Sequence, residues 1–122
     1  MNIVSFVISA ALIGSLASPA LAGEYKCSGD RVENNGSTKF TIRRSGSDFS
    51  VESGGSTRGR AVSRGGKLVV EVGGVTKATI EGGKITKGGS SWGTVAEAQR
   101  QFDCDGNVAA TLWVLVQLGV LR

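Results

Sequence analysis

KLVVEVGGVTKATIE, residues 67–81, is the stretch on which the fold turns. Its first half alternates, with Leu68, Val70 and Val72 on one side of an extended chain and Lys67, Val69 and Glu71 on the other. Gly73 and Gly74 interrupt the run. Beyond them Ala78 and Ile80 point inward while Lys77, Thr79 and Glu81 point outward. A two-residue period on either side of a glycine pair predicts an antiparallel hairpin with one dry and one wet face.

The same grammar extends in both directions. Upstream, KFTIRR sets Phe40 and Ile42 against Thr41 and Arg43, and FSVES presents Phe49 and Val51; Ser45-Gly46-Ser47-Asp48 makes the turn between them. RAVSR and KITK read as shorter strands on either side. Glycine pairs at 54–55, 65–66, 82–83 and 88–89 punctuate the chain at unequal intervals, which predicts a meander and not a solenoid. The expected architecture is α+β and mainly β: six to eight short antiparallel strands, as a meander or small sandwich, followed by two C-terminal helices.

The helices are read after Gly89, so that residues 23–89 form a β-rich part and residues 90–122 a helical part of one domain. Thr94 and Glu97 have the spacing of a capping box, and Val95, Ala98 and Phe102 share one face of the helix it opens, which should end near Cys104. Asp105-Gly106 breaks the chain, Asn107 is a fitting N-cap for a second helix, and Gly119 a fitting stop. That second segment, NVAATLWVLVQLGVLR, is almost wholly apolar. At about 1.5 Å per residue it is too short to cross a hydrocarbon layer of about 30 Å as a helix. It reads as a core helix lying on the dry face of the sheet, although Val and Trp would also suit a strand. If the sheet covers only one side of it, Trp113 or Val116 is left as a contact residue for a partner, and the helix becomes a homodimer face.

The N-terminus carries an apolar run from Ile3 to Leu16, a Ser18-Pro19 breaker and Ala20-Leu21-Ala22, the small-residue pattern of a signal peptidase site. Residues 1–22 are therefore predicted to be a cleaved signal peptide, and residues 23–122 a single secreted domain. The absence of Lys or Arg before the apolar run favours a eukaryotic route. Export to an oxidising compartment makes the two cysteines, Cys27 and Cys104, a disulfide.

The chain has no histidine, which removes the commonest general base and the commonest metal ligand. With both thiols in a disulfide no cysteine nucleophile is left, and no catalytic residue, metal or cofactor is expected. Glu71, Glu81 and Lys77 lie on wet strand faces and read as cross-strand charge pairing. Asp103, Asp105 and Asn107 imitate half a calcium loop, but Val108 and Val114 stand where its glycine and bidentate glutamate belong. The densest basic run is STRGRAVSRGGK, where alternation places Arg58, Arg60 and Arg64 on one strand face with Lys67 close behind. Such a face could grip phosphates or an acidic protein surface, and the lack of aromatic residues in the run speaks against nucleic acid.

Tyr25-Lys26-Cys27 directly after the signal peptide, followed by a compact domain with one later cysteine, resembles small secreted effectors of plant-pathogenic fungi. The likeness is to the Y-x-C class of powdery mildew, whose ribonuclease-like members have lost their catalytic residues. The resemblance implies a Cys27–Cys104 disulfide and a non-catalytic virulence protein that binds a host protein. The composition leaves two further expectations: a secreted nucleic-acid or glycan binder drawn by the net charge of +4, and a small extracellular enzyme inhibitor.

Overall fold

A computed structural model describes residues 25–121; the expected signal peptide lies outside the described residues. The chain is mainly β. Nine strands follow one another as β1 (Tyr25–Ser28), β2 (Arg31–Asn34), β3 (Ser37–Ser45), β4 (Asp48–Ser53), β5 (Ser56–Arg64), β6 (Lys67–Val72), β7 (Val75–Glu81), β8 (Lys84–Lys87) and β9 (Ser90–Thr94). Helix α1 (Val95–Gln101), a two-residue strand β10 (Phe102–Asp103) and helix α2 (Gly106–Gln117) complete it. All ten strands form one sheet, in the order β9-β8-β7-β6-β5-β4-β3-β2-β1-β10. The sheet is thus a meander from end to end, antiparallel throughout except where β10 runs parallel to β1.

Six of the hairpin loops are two-residue turns with both residues in the left-handed region. Gly54 and Gly55 have φ of 62° and 82°, and at Asn35-Gly36 the first place is taken by Asn35 at 53°. This backbone matches the right-handed twist of the flanking strands and strains any residue with a side chain, Asn least of all. The glycine pairs are therefore the cause of the meander's tight register.

The inward residues are Val32, Phe40, Ile42, Phe49, Val51, Ala61, Leu68, Val70, Ala78, Ile80 and Ile85, all buried. They surround α2, in which every residue from Val108 to Leu115 is buried. A helix that is apolar on all sides needs packing on all sides, and the curled sheet supplies it. Helix α1 packs on α2 and touches both edge strands, β9 and β10, so it lies in the seam that the sheet leaves open. The disulfide between Cys27 of β1 and Cys104, just after β10, fastens the edge strand β10 to its neighbour β1. In the chain-entropy picture, cross-linking cysteines 77 residues apart stabilises by about 4 kcal/mol.

Two strand glycines show how closely the helix approaches the sheet. A Cβ on Gly59 would lie 2.6 Å from Leu115 Cδ2, and one on Gly93 would lie 2.7 Å from Trp113 Cη2. Thr111, the buried polar residue of α2, donates its hydroxyl proton to the Asn107 carbonyl at 2.8 Å and so carries no unmet polar group into the core.

Several expectations change in detail. The capping box is present: Thr94 Oγ1 accepts from the Glu97 amide at 3.1 Å, and Glu97 Oε1 accepts from the Thr94 amide at 3.0 Å. The first helix ends at Gln101 instead of near Cys104, because Phe102 and Asp103 pair with Tyr25 and Lys26 as β10. The cap of α2 is Asp105, whose carboxylate accepts from the Val108 amide at 3.1 Å; Asn107 already lies inside the helix. The helical part begins at Val95, since residues 90–94 form β9. The segment 108–117 is a helix and not a strand, and Gly119, at φ 78°, follows its end as expected.

Candidate binding face

The outer face of the sheet holds a repeat that glycine spacing conceals. Val32-Glu33, Val51-Glu52 and Val70-Glu71 each mark a register shift against the next strand, nineteen residues apart. Each opens the pattern Val-Glu-x-x-Gly-x-Thr followed by Lys or Arg. Each glutamate lies opposite a threonine, Thr38, Thr57 or Thr76, and the residue after that threonine is the extra one of a β-bulge: Lys39, Arg58 or Lys77. A fourth copy follows at Ile85-Thr86, opposite Gly93 and Ser91, where Trp92 takes the bulge position.

The charges of this face are sorted by the repeat. Glu33 lies 3.9 Å from Arg31, Glu52 3.6 Å from Arg43 and Glu71 3.2 Å from Arg64. Each glutamate is thus engaged by an arginine outside the bulge. Among the described residues, none of the ion pairs involves Lys39, Arg58, Arg60 or Lys77, all of which are exposed. These solvent-facing pairs contribute at most about 1 kcal/mol each. Their consequence is the distribution of charge that they leave.

The predicted basic residues are divided by this arrangement. Arg58 and Arg60 flank a depression of about 260 Å³ that Thr57, Glu71, Gly73 and Gly74 complete. Arg64 is tied to Glu71, its Nη2 donating to Oε2. Lys67 pairs in register with Arg64 at the opposite end of the strand and lines a different hollow, of about 430 Å³, with Leu68, Glu81, Val95 and Asn107. The run therefore forms no single patch; Arg58 and Arg60 are the pair that stays together.

Trp113 is 9% exposed, packed over Gly93 and set edge-on to Trp92 at 5.3 Å between centroids. It is a core residue, and residues 108–115 of α2 are buried with it, so the exposed apolar surface of the helix is confined to half-buried Val116. Trp92 is the aromatic that sequence reasoning passed over. It is half-buried, with the Lys87 ammonium 4.9 Å above its ring, a cation–π contact of about 0.5–1 kcal/mol at an exposed site. The signal was available in the fourth copy of the repeat, where Trp92 replaces a cation.

The acidic candidates do not gather. Glu71 faces Thr76 and Glu81 faces Lys84, so the two glutamates are not brought together. Asp105 caps α2 and lies 3.8 Å from Arg44, which also binds Asp30. Among the described residues no three Asp, Glu, Cys or His side chains come together as metal ligands do. None of the described helices is long and apolar enough to cross a membrane. Comparison with protein-family models, curated proteins and solved structures finds no match to the chain.

Proposed function

We propose that the protein is a secreted, non-catalytic binding module that engages an acidic partner through the outer face of its sheet. The resemblance to fungal effectors makes that partner a host protein; the charge of the face requires only that it be acidic. The observation that carries the proposal is the spare charge at the bulges. Arg58 and Arg60 stand exposed beside one depression, while the neighbouring glutamate is already taken by Arg64. Cations freed from internal pairing attract a partner over about a Debye length and fix its register on contact.

The test compares capture of partners from host extract by the wild-type domain and by R58E/R60E, at low and high salt, with melting temperatures measured in parallel. The double reversal should abolish salt-sensitive capture and leave the melting temperature within a few degrees, because both side chains are exposed. Capture equal to wild type would refute the proposal. R64A is the control, since Arg64 is occupied by Glu71, and should retain most of the binding.

A further inference from the structure

The fourth copy of the repeat differs from the other three in both of its chemical positions. Thr86 stands where Glu33, Glu52 and Glu71 stand, and Trp92 where Lys39, Arg58 and Lys77 stand. The carboxylate disappears where the aromatic ring arrives. The β7–β8 register, Thr79 with Thr86 and Ile80 with Ile85, carries Lys77 to the same end of the sheet as Lys87. Lys87 already lies over the indole of Trp92. That end of the sheet thus combines two lysines outside every ion pair among the described residues and one aromatic ring, while the carboxylate of the repeat nearest to Lys77, that of Glu71 opposite Thr76, is held by Arg64.

We propose that Lys77, Lys87 and Trp92 form a binding site for a linear acidic glycan. The indole is the platform for one sugar ring, and the two ammonium groups take its carboxylate or sulfate. Arg58 and Lys39 occupy the equivalent places in earlier copies and extend the row of cations across the sheet. The proposal rests on the reading of the outer face as acid-binding and names its ligand.

Three features favour a glycan over other anions. Trp92 is braced edge-on by Trp113 at an interplanar angle of 72° and remains half-exposed, so a rigid ring is held ready for a sugar that displaces the Lys87 ammonium from its face. It is the one aromatic among the four bulge positions, whereas single-stranded nucleic acid is held by aromatic rings under successive bases. Glu33, Glu52 and Glu71, each held by an arginine, separate the bulge cations into single points, one per copy of the repeat. A thin linear anion can meet such a row one charge at a time.

The experiment titrates the domain with an oligogalacturonate, a sulfated oligosaccharide, a neutral oligosaccharide of equal length, polyuridylate and polyglutamate. Affinity is read by calorimetry, and the indole N–H signals of Trp92 and Trp113 by NMR. One or both acidic glycans should bind and shift the Trp92 signal far more than that of buried Trp113. K77E/K87E should weaken this binding about tenfold or more and lower the melting temperature by only a few degrees through loss of the Lys87–Trp92 contact, and high salt should weaken the binding in the wild type. W92F should retain part of the affinity that W92A loses. The proposal is overturned by an absence of binding to both acidic glycans, by equal binding of the neutral one, or by tighter binding of polyuridylate or polyglutamate. If K77E/K87E changes nothing while R58E/R60E abolishes acid binding, the glycan site is wrong and the broader reading of the face stands. If neither pair matters, both fall.

Discussion

Replacing Gly93 with alanine adds one methyl group where a rigid side chain of α2 presses closest on the sheet. The new Cβ would lie 2.7 Å from Trp113 Cη2, 3.0 Å from Cζ2 and 3.2 Å from Cζ3. These atoms belong to a rigid ring that is wedged in the core beside Trp92, so the ring cannot fold away as the end of a leucine can. Overpacking of this kind costs about 1–3 kcal/mol. Were the space open, alanine would instead stabilise by about 0.4–1 kcal/mol through the unfolded chain, because Gly93 has no left-handed φ to forbid it. The two mechanisms predict opposite signs. For a domain of this size the clash corresponds to a fall of roughly 5–20 °C in melting temperature, measured by circular dichroism with the disulfide intact. Trp113→Phe shortens the ring, so G93A/W113F should be less destabilised than the sum of its single changes by about 1 kcal/mol or more. A G93A protein as stable as wild type, or strictly additive behaviour in the cycle, would refute the close packing of Trp113 on β9.

Other perturbations probe the seam and the caps. Reducing the disulfide, or replacing Cys27 and Cys104 with alanine, should cost about 4 kcal/mol by the same loop argument, read as a lower denaturation midpoint. A midpoint unchanged by reduction would show that α1 and the β1–β10 pairing hold this edge without it. T94A removes the hydroxyl that accepts from the Glu97 amide, and D105A the carboxylate that accepts from the Val108 amide; each should lower stability by about 1 kcal/mol in urea titration. N107A should cost less, because Asn107 is not the cap. G59A should destabilise less than G93A, since its nearest atom is the movable end of Leu115, although the Glu71 carbonyl at 3.3 Å limits the escape. Equal losses at the two glycines would remove the distinction between a rigid and a yielding neighbour.

The strands were legible in residues 67–81 because burial on one face imposes a two-residue period, and the glycine pairs marked the turns that join them. Val69 shows where the period misleads. It was assigned to the wet face, yet it is buried opposite half-buried Val62, an apolar pair that the outer surface shelters. Strand β10 was illegible because two residues cannot display alternation; its existence depends on Tyr25 and Lys26, distant in sequence. The apolar tail announced a buried helix, but its composition could not tell a helix resting on a sheet from one enclosed by it. That difference decides the fate of Trp113. Arg58 and Arg60 were legible as charge. The bulge that sets Arg58 apart from Arg64 was hidden, because a register shift is a relation between strands and shows in the sequence only as the recurrence of Val-Glu-x-x-Gly-x-Thr every nineteen residues.

The enclosure of α2 also sets an order on folding. The strands come first in the chain and the helix that fills them comes last, so no N-terminal portion possesses the interior it needs. A chain emerging from the ribosome has hairpins without a completed core until residues 108–115 are free. Truncation before Val108 should therefore abolish cooperative unfolding, although every hairpin is still present.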